Sequence, residues 1–160
     1  MRIAIVGGAL QGMEAVYLAK KAGFETTVID RKPHAPALSI CDEPIVMDPT
    51  KDTAGAKSVF DRCDVVIPAC EELDLLHCLD NVLSGSSVPL LFDMDSYEVS
   101  CSKNRSNEIM DSVGVPLPKP WPECGFPAIV KPSSQSGSIG VSVAMDDSDL
   151  KRGLEIVEGI

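Results

Sequence analysis

The amino-acid sequence predicts an α/β protein, a parallel sheet with helices on both faces followed by a second, smaller unit. Three observations predict it. From residue 3 to residue 92, short unbroken apolar runs alternate with longer segments of helical periodicity, as expected of strands buried on both faces and joined by crossover helices. The run Val115-Pro116-Leu117-Pro118-Lys119-Pro120-Trp121-Pro122 then excludes helix and marks a change of organisation. Beyond it, the apolar strand Phe126-Pro127-Ala128-Ile129-Val130-Lys131-Pro132 enters a loop of small residues, Ser133 to Gly140, and the chain resumes as Val141-Ser142-Val143-Ala144.

Each element follows from local pattern. Ile3 to Val6 is a continuous apolar strand. Leu10 to Ala22 carries helical spacing through Leu10, Met13, Tyr17 and Leu18, and Gly23 follows where a helix-ending glycine belongs. Thr26 to Asp30 is a second buried strand and Ile45 to Met47 a third. Thr53 to Cys63 is helical, Val65 to Ile67 a fourth strand, Leu73 to Leu83 a helix, and Pro89 to Phe92 a fifth strand. The pattern changes around Asp93 to Ser100. Lys103 to Val113 reads as a helix stopped by Gly114, and Ser148 to Ile160 as another. The expected division is a first domain over 1–95 and a second over 96–160. Two strands and two helices make a poor core alone, so the second is expected to be incomplete.

Composition narrows the function classes. A net charge of −10 argues against sequence-independent nucleic-acid binding, which needs clustered Lys and Arg, and so favours a small ligand. No apolar run approaches the roughly 20 residues that span a bilayer, and the chain enters its first strand at once, so a cytoplasmic protein without membrane contact is expected. The six cysteines form no Cys-x-x-Cys pair and read as reduced packing residues. His34 and His77 lack ligand spacing, so no metal site is expected within these residues.

Two loops carry chemistry. In the Ser133–Gly140 loop, backbone N–H groups can approach phosphate oxygens because serine and glycine add no bulk, and Lys131 adds a mobile positive charge; an ordinary Ser/Gly hairpin is the alternative. Near the N-terminus, Gly7-Gly8-Ala9-Leu10-Gln11-Gly12 lies between a strand and a helix, with Asp30 ending the next strand. It resembles a dinucleotide-binding turn. Ala9 stands where backbone should approach a pyrophosphate, which weighs against NAD. The glycines could instead serve only a tight turn and close packing. A third reading places another ligand at the carboxyl end of the sheet, where Leu10, Gln11, Asp30, Asp48, Pro49 and Cys70-Glu71-Glu72 gather. There Asp48 could equally be a helix cap.

Taken in order, the Rossmann-like first domain, Ser102-Lys103 opening a helix, Gly114-Val115-Pro116-x-Pro118, and the lysine-ended strand with its Ser/Gly loop resemble the first half of an ATP-grasp carboxylate-amine ligase. Within that superfamily the chain is similar to the pyrrolysine-biosynthesis ligases. The similarity runs through Gly7-Gly8-x-Leu10-Gln11-Gly12-x-Glu14-Ala15-x-Tyr17-Leu18-x-Lys20-Lys21-Ala22-Gly23, Val28-Ile29-Asp30, Leu91-Phe92-Asp93 and Gly114-Val115-Pro116. The resemblance implies a fold, a pre-ATP-grasp domain followed by the start of an ATP-grasp domain. It also implies an activity, ATP-dependent joining of the carboxylate of (3R)-3-methyl-D-ornithine to the ε-amine of L-lysine through an acyl phosphate.

By the same resemblance, Leu10, Gln11 and Glu71 line the amino-acid site. Asp30, Asp48, Pro49, Lys103, Lys131, Ser136, Gly137 and Ser138 hold ATP, with Lys131 also acting in catalysis. Magnesium ligands, a nucleotide hinge and a phosphoryl-steadying arginine are expected beyond residue 160, so these residues alone are expected not to turn over, and a homodimer is possible by family habit. Two other classes stay open: an NAD-dependent oxidoreductase domain, and a non-catalytic binding module that keeps the amino-acid pocket.

Overall fold

The computed structural model describes residues 1–135 and 137–160. The chain divides into two compact units, Met1–Met94 and Asp95–Ile160.

In the first unit, β1 (Arg2–Val6), β2 (Glu25–Asp30), β3 (Glu43–Val46) and β4 (Val65–Pro68) form one parallel sheet in the order β3-β2-β1-β4. Helices α1 (Leu10–Lys21), α2 (Thr53–Phe60) and α3 (Leu73–Leu83) connect them or follow them. The two faces of β1 bury different partners. Ile3 and Ile5 join Val28, Val65, Val16 and Ala19 in one apolar cluster, while Ala4 and Val6 join Ile29, Val66, Val59, Phe60, Leu79 and Leu83 in the other. This is why the strand reads as an unbroken apolar run: successive side chains point to opposite faces and both faces are covered. The two buried threonines of β2 are satisfied by acids at the start of the adjacent edge strand, Thr26 Oγ1 donating to Asp42 at 2.9 Å and Thr27 Oγ1 to Glu43 at 3.0 Å.

Several expected elements differ. The fifth strand is reduced to one parallel bridge between Leu90 and Val66, since Pro89 has no N–H to extend the ladder. β3 begins two residues earlier than its apolar residues suggest because the edge strand is paired from Glu43. A 3₁₀ turn over Pro36–Ser39 tucks Ala37 beneath α1 and donates the Ala37 N–H to Gly8 O at 3.0 Å. The face of α1 is also corrected. Its buried residues are Gly12, Val16 and Ala19, whereas Leu10, Tyr17 and Leu18, which carry the apolar spacing, are exposed. Small residues bury here because the helix lies close against the sheet, and the larger ones are turned outward.

In the second unit, α4 (Met94–Ser100) and α5 (Lys103–Ser112) precede an antiparallel pair, β5 (Ala128–Val130) and β6 (Ser142–Ala144), and α6 (Asp147–Glu158) packs on that pair. The sequence pattern misses α4, which buries no residue and so has no apolar stripe. Gly153 of α6 sits over the hairpin: a Cβ there would come within 2.7 Å of Ser142 Oγ and 3.1 Å of Val130 Cγ2. Among the described residues, no helix is long and apolar enough to cross a membrane.

Candidate functional site

The chain runs outward through β1, β2 and β3, then crosses to β4 on the other side of β1, so the direction of winding reverses between β1 and β4. Open α/β sheets hold ligands at the carboxyl ends of the strands beside such a reversal. Here that crevice is bordered by Gly7-Gly8-Ala9 and by Ala69-Cys70-Glu71. Gly7 adopts φ +107°, and a side chain there would meet the Ala69 carbonyl at 2.7 Å. A Cβ on Gly12 would collide with the Gly7 carbonyl oxygen, so α1 can begin this close to β1 only with glycine in its first turn. The helix-capping residue, Ala9, supplies no side-chain oxygen, and the first turn of α1 carries no acid.

The six residues of this unit to which the resemblance gives site roles, Leu10, Gln11, Asp30, Asp48, Pro49 and Glu71, follow or end a strand at the same end of the sheet, but their roles separate. Asp30 is committed to the backbone: its Oδ2 accepts the Gly8 N–H at 2.6 Å and its Oδ1 the Lys32 N–H at 2.7 Å. It therefore ties the glycine turn to the end of β2. Asp48 accepts from the Thr50 N–H at 3.1 Å and from the Thr50 hydroxyl at 2.7 Å. These bonds, the hydroxyl first, hold its carboxyl below the usual range. The helix cap is instead Asp52, which takes the Gly55 N–H at 2.8 Å. Pro49 is buried, and its carbonyl accepts the Cys78 thiol at 3.3 Å. Leu10, Gln11 and Glu71 are exposed at the mouth.

Two participants at this rim escape the sequence pattern. Arg31, after β2, makes a bidentate pair with Glu72, before α3, at 2.9 and 2.7 Å. β2 and β4 flank β1, so the pair spans the end of β1. Cys78 is the other, anchoring the Asp48-Pro49 corner from α3. Nothing in a linear sequence marks a contact 41 or 29 residues long. The cysteines are all free, and burial pushes the thiols of Cys41, Cys63, Cys70 and Cys78 up, away from reactive thiolate.

In the second unit, the start of α5 is bound to the start of the Ser/Gly loop. The Lys103 N–H donates to Ser133 O at 2.9 Å, its ammonium reaches Ser133 O at 3.3 Å and Gln135 O at 2.8 Å, and the Ser102 and Ser133 hydroxyls lie 3.2 Å apart. Lys131 directly follows β5 and is exposed, with no hydrogen bond or ion pair to another described residue. The loop turns through left-handed residues at Gly137 (φ +66°), Ser138 (φ +60°) and Gly140 (φ +70°). Ser138 is the one non-glycine residue with positive φ among the described residues, a conformation that serine adopts only at a cost. Ser136 lies outside the described residues. Among the described residues, no three of His, Cys, Asp and Glu come together as a group that could hold a metal ion.

Residues 3–91 match the family model described as PylC-like, N-terminal domain. The chain is 38% identical over 153 residues to a 3-methyl-D-ornithine–L-lysine ligase of Methanosarcina barkeri, covering 96% of this chain and 42% of that protein. It is 35% identical over 149 residues to the ligase of the same name from Methanosarcina mazei, covering 93% of this chain and 40% of that one. It thus spans about two fifths of the length of these curated relatives. Among solved structures, an ADP complex of N5-carboxyaminoimidazole ribonucleotide synthetase superposes with a TM-score of 0.82 at 19% identity, over 99% of this chain and 44% of that one. At that identity the likeness carries the fold, a Rossmann-like parallel sheet followed by the start of an ATP-grasp domain.

Proposed function

The chain belongs to the PylC-like N-terminal domain family, and from that premise we propose that it is the N-terminal part of an ATP-dependent ligase joining the carboxylate of (3R)-3-methyl-D-ornithine to the ε-amine of L-lysine. Domains 1–95 and 96–160 then divide the labour, the first contributing the amino-acid rim and the second the phosphate loop, in a cytoplasmic enzyme that acts as a homodimer. The observation that carries this reading is the second unit's loop: Lys103 fastened to its first carbonyls, Lys131 exposed at its entrance with no partner among the described residues, and glycine or strained serine at its turn.

The reaction sets what these groups must do. A carboxylate oxygen of the substrate attacks the γ-phosphorus of ATP, the bond to ADP breaks, and an acyl phosphate forms. The lysine ε-amine then attacks the carbonyl carbon, phosphate leaves with the bonding pair, and the amine loses a proton to give the isopeptide. Catalysis here is positioning and neutralisation of phosphate charge rather than covalent chemistry on the protein. Lys131, Gly137 and Ser138 face the phosphates in this reading. Lys103 holds the loop in the shape that receives them, and in doing so spends its donors on the loop backbone. Magnesium is expected in the full ligase, and no step is assigned to it through these residues.

At the sheet edge, Leu10 and Gln11 open α1, whose uncapped first turn favours a carboxylate, while Glu71 suits an ammonium group. Asp48 and Pro49 border the same rim and are assigned to the nucleotide. Asp30 acts on the nucleotide through the glycine turn that it pins.

The test is calorimetric titration of the chain with ATP and, separately, with L-lysine. Lys131→Ala should weaken ATP binding about 10–100-fold, the loss of one charge-assisted contact, and leave L-lysine binding unchanged. Unaltered ATP affinity in this exposed-site variant would sink the assignment. Stabilisation by NADH but not by ATP would move the reading to an oxidoreductase domain.

A further inference from the structure

The outer face of α1 is the wrong composition for a solvated helix surface. The buried Gly12, Val16 and Ala19 lie on one side. At about 100° per residue, Glu14, Tyr17, Leu18 and Lys21 occupy an arc diametrically opposite. Tyr17 is 61% exposed and Leu18 62%. One exposed leucine would be ordinary; a large apolar pair centred on the outward arc and framed by one acid and one base is a patterned surface.

The charges say what the pattern is for. Glu14 makes no ion pair or hydrogen bond with another described residue, and Lys21 has only the Tyr17 ring, its ammonium 5.9 Å from the centroid. Seven residues apart, they are about 10 Å from each other along the helix, too far to pair within it. The neighbouring Lys20, by contrast, is already bound to Asp42 at 2.6 Å.

We propose that this face is a self-complementary docking surface through which a second copy of the chain pairs about a two-fold axis, α1 lying antiparallel to α1. With the axis between Tyr17 and Leu18, Tyr17 of each copy meets Leu18 of the other, and Glu14 of each copy meets Lys21 of the other. A two-fold interface requires this reciprocity, and the order Glu14, Tyr17, Leu18, Lys21 supplies it without any further residue. A single helix face buries less than a standard interface, so the pairing is a weak one. It deepens the homodimer of the proposed function by naming its surface, and it stands apart from the ligand site, so its failure leaves the ATP reading untouched.

Sedimentation equilibrium of the chain across concentration, with reversed charges, tests it. The weight-average mass should rise from 17.0 kDa towards twice that value. Glu14→Lys and Lys21→Glu each place like charges across the axis twice and should weaken the dimer at least about 10-fold, while the double reversal restores it. Leu18→Glu, a surface change whose fold is checked by circular dichroism, should abolish it. A chain that stays monomeric up to about 1 mM overturns the proposal and says that something other than a second copy covers this face. A dimer indifferent to both single reversals overturns it equally, because the copies then meet elsewhere.

Discussion

The two units use strands for different ends. In the first, Val28 and Ile29 are completely buried on opposite faces of β2, in the two apolar clusters that cover the sheet on either side. In the second, β5 and β6 have three residues each; Ala128, Val130 and Ala144 face α6, while Ile129 and Val143 remain 67% and 59% exposed. The first sheet is a core whose carboxyl ends form the candidate rim. The hairpin is a mount for a loop, with one face packed. Stability is therefore concentrated in the first unit, and the adaptable backbone in the second.

The largest effect should come from removing a side chain common to β1, β4, α2 and α3 packing. Phe60→Ala, at a fully buried position, should destabilise the first unit by about 3–5 kcal/mol. Ile129→Ala on the open hairpin face should change stability by less than about 0.5 kcal/mol. Urea unfolding followed by circular dichroism measures both, and equal costs would erase the contrast between the units.

Next comes the close approach of α1 to β1. Gly12→Ala should cost about 1–3 kcal/mol, because the Gly7 carbonyl is backbone and cannot swing aside as a side chain would. An unchanged urea midpoint would mean that α1 slides freely over the sheet.

On the other unit, Lys103→Met deletes the ammonium contacts to Ser133 O and Gln135 O, about 0.5–1.5 kcal/mol of loop order. Cleavage within 133–140 by a non-specific protease should accelerate several-fold, since it follows the open population. If the cleavage rate is insensitive to this change, the loop is held by something other than Lys103.

The smallest effect is electrostatic. The Lys20 ammonium at 2.6 Å, with the Thr26 N–H and hydroxyl, lowers the Asp42 carboxyl to about 2. A carboxyl depressed on folding stabilises the native state fully above its unfolded range, near 4, and this contribution is lost as pH falls through about 2. Asp42→Asn should remove that acid-side loss while lowering stability slightly at neutral pH, slightly because Lys20 and Asp42 are both solvent-exposed. Melting temperatures from pH 6 to pH 2 would show it. Parallel curves for the two proteins would remove Asp42 from the account.

How much of this could be read in advance depends on whether information was local. β1 and β4 were legible because burial on both faces leaves an unbroken apolar run, and α3 was legible to the residue because Leu76, Leu79 and Leu83 form one stripe. The orientation of α1 was not, because small residues decide it. Gly12, Val16 and Ala19 face the sheet for reasons of distance, which no hydropathy pattern encodes. Of the candidate site, Lys103, Lys131 and the Ser/Gly loop stood out by residue type and order. Their functions remain for titration to test.

By itself the sequence determined the alternation of strands and helices, the glycine turn after β1, the lysine-ended strand with its small-residue loop, and the family to which these belong. All of these depend on residue type and spacing along the chain. Only the tertiary structure decided that Asp30 is bound to Gly8, that Arg31 reaches Glu72 across the end of β1, that Lys103 grips the loop, and that Tyr17 and Leu18 face outward. Those depend on which distant segments the sheet brings within about 3 Å, and hydrogen bonds and packing act only over that range.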